Sequence, residues 1–137
     1  MATVANPPRP ERKVRRQTES RLQAACFVWC WNEHPETRRL LFHVENEGTH
    51  SNARDGSRRK AMGLIAGVSD LILLMPRGKW HGLCIEMKTT DSSSGQSKDQ
   101  ISWQVIVERQ GYRYEVVRTE EEFKALINEY LALPENK

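Results

Sequence analysis

The sequence predicts one α/β domain of mixed α+β type, in which a mixed central β-sheet is flanked by α-helices. The chain of 137 residues is long enough for one hydrophobic core but short for two. Hydrophobic residues make up 38% of it and charged residues 28%, a balance typical of globular domains. Apolar residues follow helical and strand periods in the order α, β, short α, β, β, α, β, α, which favours a sheet with helices packed on it.

Positive charge is concentrated in the first half of the chain. The net charge is +3, and residues 1–60 hold 12 basic and 7 acidic residues. Residues 1–16 combine prolines with basic side chains and lack helical periodicity, so we expect a flexible basic arm there, a folded domain over residues 17–133 and a short tail over 134–137. The arm residues that are candidates for binding nucleic-acid phosphates are Arg12, Lys13, Arg15 and Arg16.

No segment has the pattern of a membrane span or a secretory signal. The chain lacks the run of roughly 18 apolar residues that a membrane-spanning helix requires. Its N-terminus also lacks the apolar segment of a signal peptide. We therefore expect a soluble intracellular protein with no membrane partner.

A first helix is predicted from Thr18 to the residue before Pro35. Its apolar positions recur at steps of three and four residues and include Cys26 and Cys30, which we expect to be buried reduced thiols rather than zinc ligands or a disulfide. Glu19 heads this apolar stripe. A carboxylate there either stabilises the helix dipole or points into a polar pocket, and this segment alone favours the first role.

A short strand over residues 40–44 and a short basic helix ending near residue 60 are predicted next. A turn containing Gly63 and Gly67 follows. The basic helix, like the arm, has two interpretations: a phosphate-binding surface or a solvated surface that gives solubility. Its candidate phosphate-binding residues are Arg54, Arg58, Arg59 and Lys60.

In the last third of the chain, the periodicity of the apolar residues predicts a helix, a strand and a second helix. A flexible loop over residues 89–97 precedes a helix from about Lys98 to Gln110, and residues 112–117 alternate as a strand. Thr119 and Glu122 have the spacing of a capping box for the last helix. The apolar face of that helix consists of Phe123, Leu126, Ile127, Tyr130 and Leu131.

The candidate catalytic residues lie on a predicted β-hairpin formed by residues 71–75 and 83–88. Side chains alternate along a strand, so Glu86 and Lys88 point to the same face. Folding of the hairpin places Asp70, the residue before its first strand, opposite Glu86. Paired residues have Cβ atoms roughly 5 Å apart, so we expect the two carboxylates to lie close together.

Two adjacent carboxylates repel each other unless a cation lies between them, and hard oxygen ligands suit Mg²⁺ or Mn²⁺. The other interpretation is a solvated charged edge. The apolar residues on both sides of Asp70 make burial of a lone acid costly and favour the metal. A cation beside Lys88 suits phosphodiester hydrolysis, in which Lys88 can orient or deprotonate the attacking water, or stabilise charge on the phosphate.

An Asp, a hairpin and then Glu-x-Lys resemble the pattern of the PD-(D/E)xK nuclease superfamily. Further elements resemble its VRR-NUC (virus-type replication-repair nuclease) family over roughly residues 17–118. Ser69 stands where the superfamily pattern has proline, a departure that bears on the turn rather than on the chemistry. The further elements are Glu19, Asn46-Glu47-Gly48, Gly63 and Gly67, and Gln100 with Trp103.

The resemblance implies a PD-(D/E)xK nuclease-like core, a divalent metal and cleavage of DNA in replication or repair intermediates. The implied metal ligands are Asp70, Glu86 and the main-chain carbonyl of Met87. The implied catalytic lysine is Lys88.

Two more residues receive a role from the resemblance. Glu19 is implied to reach the metal through water, which changes its favoured role from helix cap to site residue. Gln100 is implied to complete the site.

A chain of this size resembles the stand-alone viral members of the family. That resemblance implies a homodimer acting on branched DNA, such as four-way junctions or flaps, in the cytoplasm of a bacterial host. Two other functions fit the same residues. One is an inactive nuclease-like module that binds nucleic acid through its basic arm, and the other is a nuclease that acts on RNA.

Overall fold

The computed structural model describes residues 18–45, 53–90 and 95–135, and the mixed α/β class that the sequence predicts is confirmed. The predicted basic arm, the Asn46-Glu47-Gly48 step and residues 91–94 of the predicted loop lie outside the described residues. None of the described helices is long and apolar enough to cross a membrane. The helices are α1 (Glu19–Glu33), α2 (Ala53–Ala61), α3 (Lys98–Arg109) and α4 (Glu120–Ala132), and the strands are β1 (Leu41–His43), β2 (Leu71–Leu73), β3 (Leu83–Met87) and β4 (Arg113–Val117).

The four described strands form one mixed sheet in the order β1-β2-β3-β4. Strands β2 and β3 pair antiparallel with Leu71 opposite Ile85, so the predicted hairpin is confirmed. Strand β4 runs parallel to β3, with α3 as the connection between them. Strand β2 ends two residues earlier than predicted, at Leu73, because beyond it Leu74 is 52% exposed and Met75 leads into Pro76.

The hydrophobic core lies between one face of the sheet and helices α1 and α4. Helix α1 buries Leu22, Cys26 and Cys30, so the predicted buried thiols are confirmed. The sheet contributes side chains such as Leu73 and Ile85, each worth about 1.5–3 kcal/mol when fully buried. The α4 residues of this core are Phe123, Leu126, Ile127 and Tyr130.

The predicted capping box of α4 is half present. Thr119 Oγ1 accepts a hydrogen bond from the Glu122 N–H at 3.1 Å, as such a box requires. The Glu122 carboxylate accepts from the N–H of Arg118 at 2.8 Å instead of from that of Thr119. The backbone N–H groups of Arg118 and Glu122, on either side of the start of α4, therefore both have hydrogen-bond acceptors.

Helix α3 covers the second face of the sheet without burying any residue completely. Trp103 packs edge-on against Tyr114 of β4, with ring centroids 6.1 Å apart. The opposite face of the helix is exposed, with Ile101 at 49% and Val105 at 42% of their accessible surface. The polar side chain of Glu86 at the end of β3 points to this second face, where it contacts Gln100 of α3 instead of lying in the core.

Gly67 sets the distance between the loop before β2 and the first turn of α3. Its φ is +85°, and a Cβ at this position would collide with the backbone carbonyl of Asp99. Gly63 has a similar φ of +105°, but a Cβ there would meet open space. Of these two glycines, Gly67 is the one required by packing as well as by backbone conformation.

Replacing Gly67 by Ala is expected to destabilise the protein more than replacing Gly63 by Ala. Both variants place a side chain on a left-handed backbone, at a cost of roughly 1–2 kcal/mol. Only Gly67→Ala adds a steric collision, which should cost a further 1–3 kcal/mol or so. Urea denaturation followed by circular dichroism measures both losses, and equal losses would contradict the close packing of Gly67 on α3.

Candidate active site

Asp70 and Glu86 face each other at the start of the β2–β3 pair. Because Leu71 pairs with Ile85, the next step of the register sets Asp70 opposite Glu86, as the sequence predicts. Asp70 Oδ2 accepts a hydrogen bond from the Met87 N–H at 2.8 Å. The carboxylate thus pairs with a backbone donor of β3 at the position just before β2 begins. Ser69, which stands in the proline position, is fully buried, and its Oγ donates to the Leu71 carbonyl at 3.1 Å.

Glu86 is a buried carboxylate with one satisfied and one unsatisfied oxygen. It is only 2% exposed, and its Oε1 accepts a hydrogen bond from Gln100 Nε2 at 2.8 Å. Its Oε2 is buried and has no hydrogen-bond partner among the described residues. Burial, followed by the negative charge of Asp70, raises the pKa of Glu86 to about 8, although Lys88 opposes the shift. The metal-free site therefore resists carrying two negative charges.

Gln100 is held at both ends of its amide. Its Oε1 accepts from the Ser97 N–H at 2.9 Å, while Ser97 Oγ accepts from the Gln100 N–H at 3.2 Å, which completes a capping box at the start of α3. The amide NH₂ group must therefore point toward Glu86. The sequence analysis did not predict this capping box, although Ser97 and Gln100 have the S-x-x-Q spacing that is typical of one.

A cleft of about 320 Å³ brings together the five predicted side chains of the site: Glu19, Asp70, Glu86, Lys88 and Gln100. Glu19 enters it from the first turn of α1, where Thr18 Oγ1 supplies the helix cap by accepting from the Arg21 N–H at 3.2 Å. Lys88 follows β3 directly, and its N–H donates to the Val117 carbonyl at 2.9 Å.

Five further residues that the sequence analysis did not assign to the cleft also line it: Ala66, Gly67, Val68, Ser97 and Asp99. Asp99 is the notable addition, because it brings one more carboxylate to the rim. Trp103, which the resemblance placed among the family elements, packs on Tyr114 and does not belong to the cleft wall that the described residues form.

A larger groove of about 690 Å³ lies beside the cleft, between α1 and β1. It shares Glu19 and Asp70 with the cleft, but its walls include the aromatic rings of Phe27 and Phe42. Neither Glu86 nor Lys88 lines it. The two carboxylates Asp70 and Glu86 and the Lys88 side chain therefore meet in the smaller cleft.

Three of the predicted phosphate-binding residues have described side chains, and none of the three lines the cleft. Arg58, Arg59 and Lys60 occupy the last turn of α2 and do not line the cleft. Arg59 pairs with Glu45 at 3.7 Å. The side chain of Arg54 lies outside the described part of the chain, as do Arg12, Lys13, Arg15 and Arg16.

The donor set of the cleft fits a Mg²⁺-type cation. Among the side chains that the structure describes, no three His, Cys, Asp or Glu residues come together as a metal-binding cluster. Of the four carboxylates that line the cleft, Asp70 and Glu86 are the two that the strand register places opposite each other. Mg²⁺ is commonly held by one or two carboxylates, with waters and substrate phosphates as its other ligands. The buried, unpartnered Oε2 of Glu86 is one available oxygen.

Met87 can supply a main-chain oxygen to the same cation. In a strand, the N–H and C=O of one residue point to the same side, as shown by residue pairs that exchange both hydrogen bonds. The Met87 N–H points to the Asp70 carboxylate, so the Met87 carbonyl also points toward the Asp70 strand. The donor set that the resemblance implies is therefore sterically consistent with this fold.

A mixed sheet with an Asp–Glu–Lys cleft at the end of its central hairpin defines a nuclease-type domain. The chain belongs to the VRR-NUC domain family, whose model matches residues 5–121. It is also similar to a solved structure described as a VRR-NUC domain protein, with a TM-score of 0.72 and 26% identity over 86% of this chain and 91% of that one. A comparison with curated proteins found no match. Family membership implies a nuclease-type function and binding of nucleic acid.

Without metal, Glu86→Gln is expected to stabilise the protein, and to do so more at about pH 8 than at about pH 5. The folded protein keeps a proton on Glu86 up to a pKa of about 8, whereas the unfolded chain loses it near 4.5. Folded Glu86 therefore costs stability progressively as pH rises between these two values, and glutamine removes the cost while its Oε1 still accepts from Gln100.

Denaturant unfolding of both proteins in EDTA measures this effect. The stabilisation at the higher pH should be on the order of 2–4 kcal/mol. A difference between the two proteins that does not change with pH would contradict the burial of an ionisable Glu86 beside Asp70.

Proposed function

We propose that this protein is an endodeoxyribonuclease that uses Mg²⁺ or Mn²⁺ to hydrolyse phosphodiester bonds in branched DNA, such as four-way junctions or flaps. The observation that carries the proposal is the pairing of Asp70 with a buried Glu86 whose Oε2 lacks a partner, in a cleft that also holds Lys88. Such a pair is costly without a cation and well suited to one.

In this proposal the metal ligands are Asp70, Glu86 and the main-chain carbonyl of Met87. These residues would hold a divalent cation, which would supply charge stabilisation at the scissile phosphate and a source of hydroxide near neutral pH. Gln100 keeps the Glu86 carboxylate oriented, because its own amide is fixed by the α3 capping box.

Lys88 and Glu19 act on the substrate and on water. The Lys88 ammonium group is a donor without acceptor capacity, so it binds a non-bridging phosphate oxygen and stabilises the charge that develops in the transition state. The Glu19 carboxylate accepts a hydrogen bond from water across the cleft. The basic residues of the arm and of α2 bind phosphates remote from the scissile bond.

The preference for DNA, and for branched DNA in particular, follows from the resemblance to replication-repair nucleases. A nuclease directed to RNA would use the same cleft. A panel of single-stranded, duplex, flap and four-way-junction DNA with matched RNA, each tested in Mg²⁺, Mn²⁺ or chelator, separates these substrates.

Lys88→Ala is expected to reduce cleavage at least about 10²-fold while leaving the affinity for DNA within a few fold of wild type. The reason is that Lys88 acts on the reacting phosphate, whereas most binding comes from phosphate contacts elsewhere. Cleavage and electrophoretic mobility shift assays on the preferred panel member measure the two quantities. Lys79→Ala is the matched control, because Lys79 is exposed at the tip of the β2–β3 hairpin. Cleavage by Lys88→Ala at the wild-type rate would refute the role of Lys88.

Mn²⁺ is expected to raise the Tm of the wild-type protein, because binding to the folded state alone stabilises it. Asp70→Asn and Glu86→Gln should each lose most of this increase, since each removes a charged ligand. Thermal unfolding with increasing Mn²⁺ measures it, with Lys79→Ala again as control.

An inactive nucleic-acid-binding module gives different results in the same experiments. For such a module, metal would change neither the Tm nor the integrity of any substrate. Deletion of residues 1–16 would abolish its binding to DNA. This combination of results would overturn the proposed function.

A further inference from the structure

Helix α1 carries a row of side chains that begins in the cleft and leads away from it. Glu19, Gln23, Phe27 and Trp31 follow one another at steps of four residues and form a ridge on the helix, which we call the α1 ridge. Each step rises about 6 Å and turns about 40° around the helix axis, so the ridge is about 18 Å long. Glu19 lines the cleft, whereas Trp31 at the far end is 42% exposed.

The first three residues of the α1 ridge also line the groove between α1 and β1. This groove of about 690 Å³ shares Glu19 and Asp70 with the cleft. Its volume lies within the roughly 300–1,000 Å³ that is usual for pockets that hold small organic ligands. A strand whose scissile phosphate occupies the cleft therefore has the groove directly beside it.

The groove offers both an aromatic and a polar surface to a nucleobase. Phe27 is half-buried in its wall. Gln23 Nε2 lies 2.9 Å from His43 Nδ1, and the same ring nitrogen lies 2.9 Å from the Asp70 carbonyl oxygen, so these polar groups are held in place. A base has an apolar face and a hydrogen-bonding edge, and the groove matches both.

Trp31 extends this aromatic surface beyond the groove. Its ring centroid lies 6.1 Å from that of Phe27. The Arg38 guanidinium lies over the Trp31 ring at 5.1 Å from its centroid, and Arg38 Nε donates to the Trp31 carbonyl at 2.9 Å. An exposed indole held by an arginine is a preorganised surface for base stacking, to which the cation adds a phosphate partner.

Charge distinguishes a nucleic-acid strand from an apolar protein partner on this surface. Arg38 and its exposed neighbour Arg39 form no ion pair with another residue in the described part of the chain. Glu45, an acidic residue of the groove wall, pairs with Arg59 at 3.7 Å. An apolar partner would bury the two arginine charges at a cost, whereas the phosphates of a strand neutralise them.

We propose that the α1 ridge and Arg38 bind an unpaired DNA strand beside the scissile phosphate, with bases stacked on Phe27 and Trp31 and a phosphate paired with Arg38. The length of the ridge accommodates at most about five nucleotides at the 3.4 Å spacing of a stacked strand. This inference rests on the proposed function, because the strand in the groove is the one that the cleft cleaves. It adds a binding site that favours unpaired DNA on one side of the cut.

Removal of the aromatic rings tests the stacking surface. Trp31→Leu and Phe27→Leu keep an apolar side chain, and each should weaken binding of an oligothymidylate of about 20 nucleotides by about 5- to 100-fold. Affinity for a blunt duplex of the same length should stay within about twofold, since paired bases cannot stack on protein rings. Fluorescence anisotropy in EDTA measures both affinities without cleavage. Ile106→Ala removes an exposed apolar side chain of α3 and is the control, with circular dichroism as a check on folding.

Removal of one charge tests the phosphate contact. Arg38→Gln should weaken binding of the oligothymidylate and lower the slope of log affinity against log salt concentration by about 0.7. Lys79→Gln is the matched control, because Lys79 also lies over an indole, 4.6 Å from the ring centroid of Trp80, but lines neither the cleft nor the groove. Its affinity and its salt slope should equal those of the wild type.

Tryptophan fluorescence reports stacking directly. The chain has four tryptophans, and the oligothymidylate should quench their fluorescence in the wild type but far less in Trp31→Leu. A Trp31→Leu variant that binds the single strand as tightly as the wild type, or that weakens duplex binding equally, would overturn the inference. Selective loss of single-strand binding supports it even if the wild type cleaves no DNA, a result that would refute only the proposed nuclease activity.

Discussion

The arrangement of the site depends on one constraint: strand β3 is buried on both faces although one of its faces carries a carboxylate. Leu83, Ile85 and Met87 enter the core, and Glu86 lies on the other face at 2% exposure. Burial of an ionisable group is costly unless it is hydrogen-bonded or paired with opposite charge. Gln100 satisfies one oxygen of Glu86, and the remaining cost makes this position favourable for a cation.

Two acids that are far apart in sequence reach this position by different structural routes. Asp70 arrives through the antiparallel register of the hairpin and is fixed by the Met87 N–H. Glu19 arrives at the start of α1, because the packing of Leu22 and Cys26 on the sheet sets the position of that helix. The cleft thus receives one group from the sheet and one from a helix, and neither requires a strained backbone.

The sequence was sufficient to predict the sheet part of the site but only some of its helical part. Strand alternation and hairpin folding place Asp70, Glu86 and Lys88 together from local rules alone. The hydrogen bond from Gln100 depends on how α3 packs, which periodicity does not determine. The cleft position of Asp99 depends on the close approach of Gly67, a contact between segments some thirty residues apart that no local pattern encodes.

Helix α3 buries no residue completely, yet it forms the wall that excludes water from Glu86. Helices with few buried contacts open locally at a lower free-energy cost than the global unfolding of the domain. Transient opening of α3 would hydrate Glu86 and lower its preference for the protonated form. The preference of Glu86 for the protonated form therefore depends on how stably a single helix packs over it.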